Sequence, residues 1–241
     1  MLGSNFLLAV KKEINALRYL VRHRMYISAK TEKDIIEQFH KLYYDSHIFR
    51  KAWGDTFWLG TPTQKCPLDI WIYQEILSEI KPDIIIECGT KYGGSALFLA
   101  SMCDLLHHGE VITIDIEDKK NKPQHPRIHY LLGSSTSEAI VEQVKKFTQN
   151  KERVLVILDS DHSKEHVLNE LKLYSPLVTK ESYMIVEDTN INGHPVYSDF
   201  GPGPMEAVQE FLKDNKNFVV DKSKEKFYLT FNPSGYLKKV S

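Results

Sequence analysis

The chain has 241 residues, 42% of them hydrophobic, enough to bury one sizeable core with room for an appendage. Its 31 lysines and arginines against 32 aspartates and glutamates give a formal charge of -1, without the basic excess of a nucleic-acid-binding chain, so no nucleic-acid partner is expected. Three widely spaced cysteines, Cys66, Cys88 and Cys103, form no CxxC pair, which argues against a disulfide framework or structural zinc and for a reducing, cytoplasmic setting.

At the N-terminus the apolar run Phe6 to Val10 is followed, not preceded, by Lys11 and Lys12, the reverse of a secretory signal. Leu7, Val10, Ile14, Leu17 and Val21 recur at alternating three- and four-residue steps, which predicts a helix with an apolar seam. The expected use of that seam is packing on its own domain or a sister subunit, and hence a homo-oligomer. The basic residues Lys11, Lys12, Arg18, Arg22 and Arg24 also permit peripheral membrane contact as the alternative. Residues 1–50 are expected to form this helical extension, and 51–241 the main domain.

From residue 67 onward apolar runs alternate with helical patterns. The strands are predicted at 83–88, 111–115, 127–132, 153–158 and 183–187, and the helices at 67–80, 94–107, 136–149, 164–174 and 204–214. That alternation predicts an α/β fold with a mostly parallel sheet and helices on both faces. Two closing runs, 218–221 (FVVD) and 226–231 (KFYLTF), are separated by too few residues for a crossover and are expected to pair antiparallel.

Ligands of such sheets bind at the carboxyl ends of the strands. The first strand ends in Glu87-Cys88-Gly89-Thr90-Lys91-Tyr92-Gly93-Gly94-Ser95, whose glycines would let backbone amides approach a ligand at the start of the next helix. It fits neither GxxxxGK[ST] nor GxGxxG, so ATP and NAD both lose ground. The second strand ends in Asp115, an acid placed to accept hydrogen bonds from ribose hydroxyls. A fourth, RVLVIL, runs into Asp159-Ser160-Asp161-His162-Ser163-Lys164, where either aspartate could instead cap the following helix.

Glu-x-Gly-x-x-x-Gly-Gly followed by a strand-terminal acid resembles the S-adenosylmethionine site of Rossmann-like class I methyltransferases. A longer set of blocks resembles the cephalosporin hydroxylase family, which includes rhamnosyl O-methyltransferases, over roughly residues 50–241. These blocks are Trp58-Leu59-Gly60, Pro67-Leu68-Asp69, Tyr73-Gln74-Glu75, Glu87 to Thr90, Gly93 to Ser95, Asp159 to Ser163, Val186 to Thr189 and Asn192 to Pro195. Cys88 stands where many relatives carry threonine, and residues 1–45 show no family pattern.

The resemblance implies an S-adenosylmethionine- and Mg2+-dependent O-methyltransferase acting on a hydroxyl of a sugar or secondary metabolite. It implies a donor site at Glu87, Gly89, Thr90, Gly93, Gly94, Ser95, Asp115, Ser135 and Asp159, which would equally hold S-adenosylhomocysteine. It implies magnesium on Asp161, Glu187 and Asp188, hard oxygen ligands that leave positions for acceptor oxygens. Asp161-His162-Ser163-Lys164 resembles the Asp-His-x-Lys segment of catechol O-methyltransferases, which makes Lys164 a candidate general base, with His162 as its competitor. Tyr92, Trp58 and His194 are expected to face the acceptor, under a loop formed by Ile191 to Pro195 and Gly201 to Pro204.

Three rivals occupy the same letters. His162-Ser163-Lys164-Glu165-His166 matches the HxxEH zinc-hydrolase pattern, although no third ligand segment follows. His108-Gly109-Glu110 is the nearby H-x-E that an iron hydroxylase would require, and it enters the second strand at the wrong end of the sheet. A protein that binds S-adenosylmethionine without chemistry is the third, and the intact acids argue against it.

Overall fold

The structure is a computed structural model that describes residues 2–241, with side chains from Val10 onward. The chain divides into two compact units, residues 1–41 and residues 42–241. The first is built from α1 (Leu2–Tyr26) and the greater part of α2 (Ala29–Asp45). Arg24 Nη1 lies 2.5 Å from Glu32 Oε2, and Ser28 Oγ accepts the Thr31 N–H, closing the turn between the helices. Val10, Ile14, Leu17 and Val21 of the predicted seam are exposed, and the side chain of Leu7 lies outside the described residues. No described helix is long and apolar enough to cross a membrane.

In the second unit a two-stranded ribbon, β1 (Phe57–Trp58) and β2 (Thr61–Pro62), precedes α3 (Pro67–Ile80). There follow β3 (Ile84–Cys88), α4 (Gly94–Leu105), β4 (Glu110–Asp115), β5 (Ile128–Leu132), α5 (Glu138–Thr148) and β6 (Val154–Leu158). The chain continues through α6 (Lys164–Tyr174), β7 (Tyr183–Val186), α7 (Pro204–Asp214), β8 (Phe218–Val220) and β9 (Tyr236–Lys239). The sheet runs β5-β4-β3-β6-β7-β9-β8, parallel from β5 to β7 and antiparallel through β9 and β8.

The strands read as unbroken apolar runs because both faces of the sheet are covered. Ile84, Ile86, Val154 and Val156 pack one face with α5, α6 and α7, through residues such as Val144, Leu171 and Val208. Ile85, Leu155 and Ile157 pack the other with α3 and α4, through Ile76, Leu77 and Leu99. Each fully buried aliphatic side chain contributes about 1.5–3 kcal/mol relative to exposure, so the alternation along β3 stabilises both layers together. Helix starts follow local chemistry: Pro67 opens α3, and Ser137 Oγ accepts the Ile140 N–H at the start of α5.

The antiparallel closing pair exists, but its second strand is 236–239 and not 226–231. Residues 226–231 form an irregular loop that anchors Leu229 and Phe231 in a small core with Cys66. Asp69 on α3 captures this loop, accepting from Phe231 N–H at 2.8 Å and Thr230 Oγ1 at 2.5 Å, while Tyr236 Oη donates to it at 2.8 Å. Backbone that the ladder would have used is held by a side chain instead.

The direction of connection reverses between β3 and β6: β4 and β5 lie to one side of β3, β6 and β7 to the other. The carboxyl ends at such a reversal leave a crevice.

Candidate active site

Two loops meet at that crevice. Asp159 N–H donates to the Cys88 carbonyl at 2.8 Å, bringing the loop after β6 against the loop after β3. Gly89 has φ +104°, and a Cβ there would stand 1.9 Å from the Asp159 carbonyl oxygen. A Cβ on Gly94 would stand 2.3 Å from the Pro62 carbonyl oxygen, so the segment after β2 lies directly on the start of α4. These glycines are required by chain packing on chain, a reason additional to the ligand approach read from the sequence. Asp115 Oδ2 accepts the Thr90 and Lys91 N–H groups at 3.1 and 2.7 Å and thereby shapes the glycine loop. Glu87 is wholly buried beneath it, with Oε2 accepting from Thr113 Oγ1 at 2.6 Å; burial pushes its carboxyl up, against the opposing pull of Lys65.

The acids stand on the neighbouring strand ends. One ligand atom each from Asp159, His162 and Asp188 lies within 4.8 Å of the other two, the one such group among the described residues. His162 Nε2 is 3.2 Å from Asp188 Oδ2 and 4.0 Å from Asp159 Oδ1. Burial raises the Asp188 carboxyl, and His162 offsets part of that rise. Asp161 lines the same cavity, but its Oδ1 accepts the Ser163 N–H at 2.7 Å, a bond that holds its carboxyl below the usual range. Glu187 is buried, and burial followed by the charge of Asp159 drives its carboxyl upward.

Lys65 enters this group from the segment after β2. Its ammonium is hydrogen-bonded to Asp159 Oδ2 and lies 2.5 Å from Glu187 Oε1, in ion-pair contact. Only 6% of Lys65 is exposed. Burial disfavours its charge, but Asp159, Glu187 and Glu87 outweigh that penalty and hold the ammonium protonated well above the ordinary lysine range.

The cavity has a volume of about 910 Å³ and is lined by Gly89, Thr90, Gly94, Ser95, Asp115, Ser135, Asp159, Asp161, His162 and Asp188 of the expected residues. Tyr44, Trp53, Tyr197 and Phe200 supply aromatic wall that sequence reasoning missed, with Tyr92 beside them as expected. Ser135 Oγ donates to the buried Glu170 Oε1 at 2.5 Å and lies 3.2 Å from His166 Nε2.

Other expected residues stand elsewhere. Lys164 does not line the cavity; its ammonium lies 2.7 Å from Glu210 Oε2, turned to α7 by its place in the first turn of α6. Trp58 donates to Ser101 Oγ and packs edge-on against Phe98, and His194 pairs with Glu206 at 2.7 Å, so neither forms the cavity wall. The HxxEH reading is corrected too: His162 faces Asp159 and Asp188, whereas His166 faces Glu170, so the two histidines do not share a zinc-binding group. His108 pairs with Asp83 at the entry to β3, the opposite end of the sheet.

A parallel sheet closed by an antiparallel pair, with a glycine loop after β3 and an acid ending β4, defines a class I S-adenosylmethionine-dependent methyltransferase fold. The match to a family model narrows it further. Over residues 50–240 the chain belongs to the Rhamnosyl O-methyltransferase/CmcI family. It is 40% identical over 213 residues to a rhamnosyl O-methyltransferase of Mycobacterium leprae (strain TN), covering 84% of this chain and 90% of that protein. It is 41% identical over 213 residues to the rhamnosyl O-methyltransferase of Mycobacterium tuberculosis (strain ATCC 25618 / H37Rv), covering 84% of each. Among solved structures it is similar in fold to an Mg-SAM structure of CmcI, with a TM-score of 0.61, 20% identity and 77% coverage of each chain. An apo structure of CmcI gives 0.60 at 21% identity, covering 77% of this chain and 76% of that one.

Proposed function

We propose that this protein transfers the methyl group of S-adenosylmethionine to a sugar hydroxyl with the help of Mg2+. The observation that carries this reading is a single cavity in which the glycine loop and Asp115 face a group of acids on the next two strand ends. Membership of the family and the names of the relatives at 40–41% identity support methyl transfer and a rhamnosyl-type acceptor. Tyr44, Trp53, Tyr197 and Phe200 support the same class, since aromatic faces suit the apolar face of a deoxysugar ring while the acids meet its hydroxyls.

The donor set fits magnesium. It is made of hard carboxylate oxygens, and four acids, Asp159, Asp161, Glu187 and Asp188, stand at two adjacent strand ends with the Lys65 ammonium bound among them. Asp188 is common to the ligand set implied by resemblance, Asp161, Glu187 and Asp188, and to the group gathered by geometry, Asp159, His162 and Asp188. Bound there, the ion would lower the pKa of an acceptor hydroxyl and orient it. His162, lining the cavity beside Asp188, is placed to take the hydroxyl proton, in preference to Lys164. Asp115 would accept from the donor's ribose, and the backbone from Gly89 to Lys91 with Ser95 and Ser135 would orient the rest of the donor. A homo-oligomer associating through the exposed side of α1 at Ile14, Leu17 and Val21 completes the reading.

The test is labelled methyl transfer to rhamnosyl glycosides, with and without a chelator, beside calorimetric binding of S-adenosylhomocysteine. Asp188→Ala should abolish transfer and leave donor affinity within a few-fold. Chelator-insensitive transfer would remove the metal; folded protein that binds no donor would remove the methyltransferase reading.

A further inference from the structure

The acids that would receive a divalent ion already hold a cation. Lys65 is buried, bonded to Asp159 and in contact with Glu187, and it comes from a segment pinned against α4 at Gly94. A lysine so placed cannot be exchanged for water at no cost: removing its charge leaves the buried Glu187 carboxylate facing the partly exposed carboxylate of Asp159. It is also close enough to a metal on those carboxylates to repel it, and repulsion between charges a few ångström apart in a buried setting is large.

We propose that Lys65 is a resident counter-cation that competes with the divalent ion for Asp159 and Glu187. The inference rests on the proposed metal site and adds two properties to it. Without metal, the ammonium keeps the acid cluster folded; with metal, it weakens the ion's hold, so the site binds and releases the ion instead of retaining it permanently. His162 faces the outer acids, with Nε2 3.2 Å from Asp188 Oδ2 and 4.0 Å from the far oxygen of Asp159.

The experiment compares the wild-type chain with Lys65→Met and Lys65→Gln, measuring Mn2+ affinity by calorimetry and thermal unfolding with and without Mn2+. Loss of the competing charge should tighten Mn2+ binding by roughly tenfold or more. Metal-free variants should melt several degrees lower, and saturating Mn2+ should restore most of that loss because a ligand bound only by the folded state stabilises it. Equal or weaker Mn2+ affinity in both variants, with the wild type binding normally, would overturn the proposal and leave the metal site standing. Absence of Mn2+ binding in all three chains would remove both. Should Lys65→Met fail to fold without metal, recovery of folding on adding Mn2+ supports the competition and failure to recover refutes it.

Discussion

Asp188 Oδ2 and His162 Nε2 stand 3.2 Å apart, an acid just past β7 meeting a base just past β6 inside one cavity. Lys164, two residues further along, faces the outside and Glu210. His162→Gln should therefore lower turnover about 10²- to 10⁴-fold, the range for a lost general base. Lys164→Ala removes a solvent-screened pair outside the cavity, and turnover should stay within about threefold. Steady-state methyl transfer by the two variants decides the assignment.

Gly89 permits the contact between the loop after β3 and the loop after β6. In Gly89→Ala the new Cβ would meet the Asp159 carbonyl oxygen at 1.9 Å in a backbone of φ +104°. Forced separation of this kind costs about 1–3 kcal/mol, and the left-handed backbone adds about 1–2 kcal/mol. The melting temperature should fall by about 4–20 °C. Gly201→Ala, with φ +95° and open space around it, carries only the backbone cost and should fall much less in the same scanning experiment.

Asp69 holds the loop before β9 through Thr230, Phe231 and Tyr236. Asp69→Ala would leave three buried donors without an acceptor, at about 1–3 kcal/mol each, and should destabilise by at least ~3 kcal/mol. Asp69→Asn keeps one acceptor oxygen and should lose about half as much. Chemical denaturation at neutral pH measures both.

His166 is drawn above the ordinary histidine pKa chiefly by its contact with Glu170, against partial burial. A raised folded-state pKa means that its stabilisation is fully present below the unfolded value near 6.5 and is lost as the pH rises through the folded value. The stability advantage of wild type over His166→Gln should be greater at pH 5.5 than at pH 8.5. Urea unfolding at the two pH values would show it, and an advantage growing with pH would contradict the pairing with Glu170.

What could be read from the letters was whatever local pattern determines. Helices 67–80, 164–174 and 204–214 appear with the expected bounds because apolar spacing and flanking Pro or Ser announce them. The last strand was misplaced because Lys226 to Phe231 has strand-like composition, while its backbone is claimed by Asp69, a contact across the fold that no local window contains. Lys65 and the aromatic wall were missed for the same reason. Lys65 lies 94 positions from Asp159, and the surrounding TPTQK has no spacing that marks a buried charge. Asp115, Asp159, Asp161 and Asp188 were visible because acids ending apolar runs break a pattern.

Strand β7 pairs directly with β9, although residues 187–235 lie between them in the chain. Ile191, Tyr197 and Phe200 of the cavity wall belong to an excursion whose two ends are fastened to each other by the sheet. Doubling the length of a fastened loop costs only ~0.6 kcal/mol in closure entropy. The cavity wall beyond Asp188 can thus be lengthened or rewritten at little cost, and under the proposed function a library confined to residues 191–202 should alter acceptor preference while the acids and the glycine loop stay where they are.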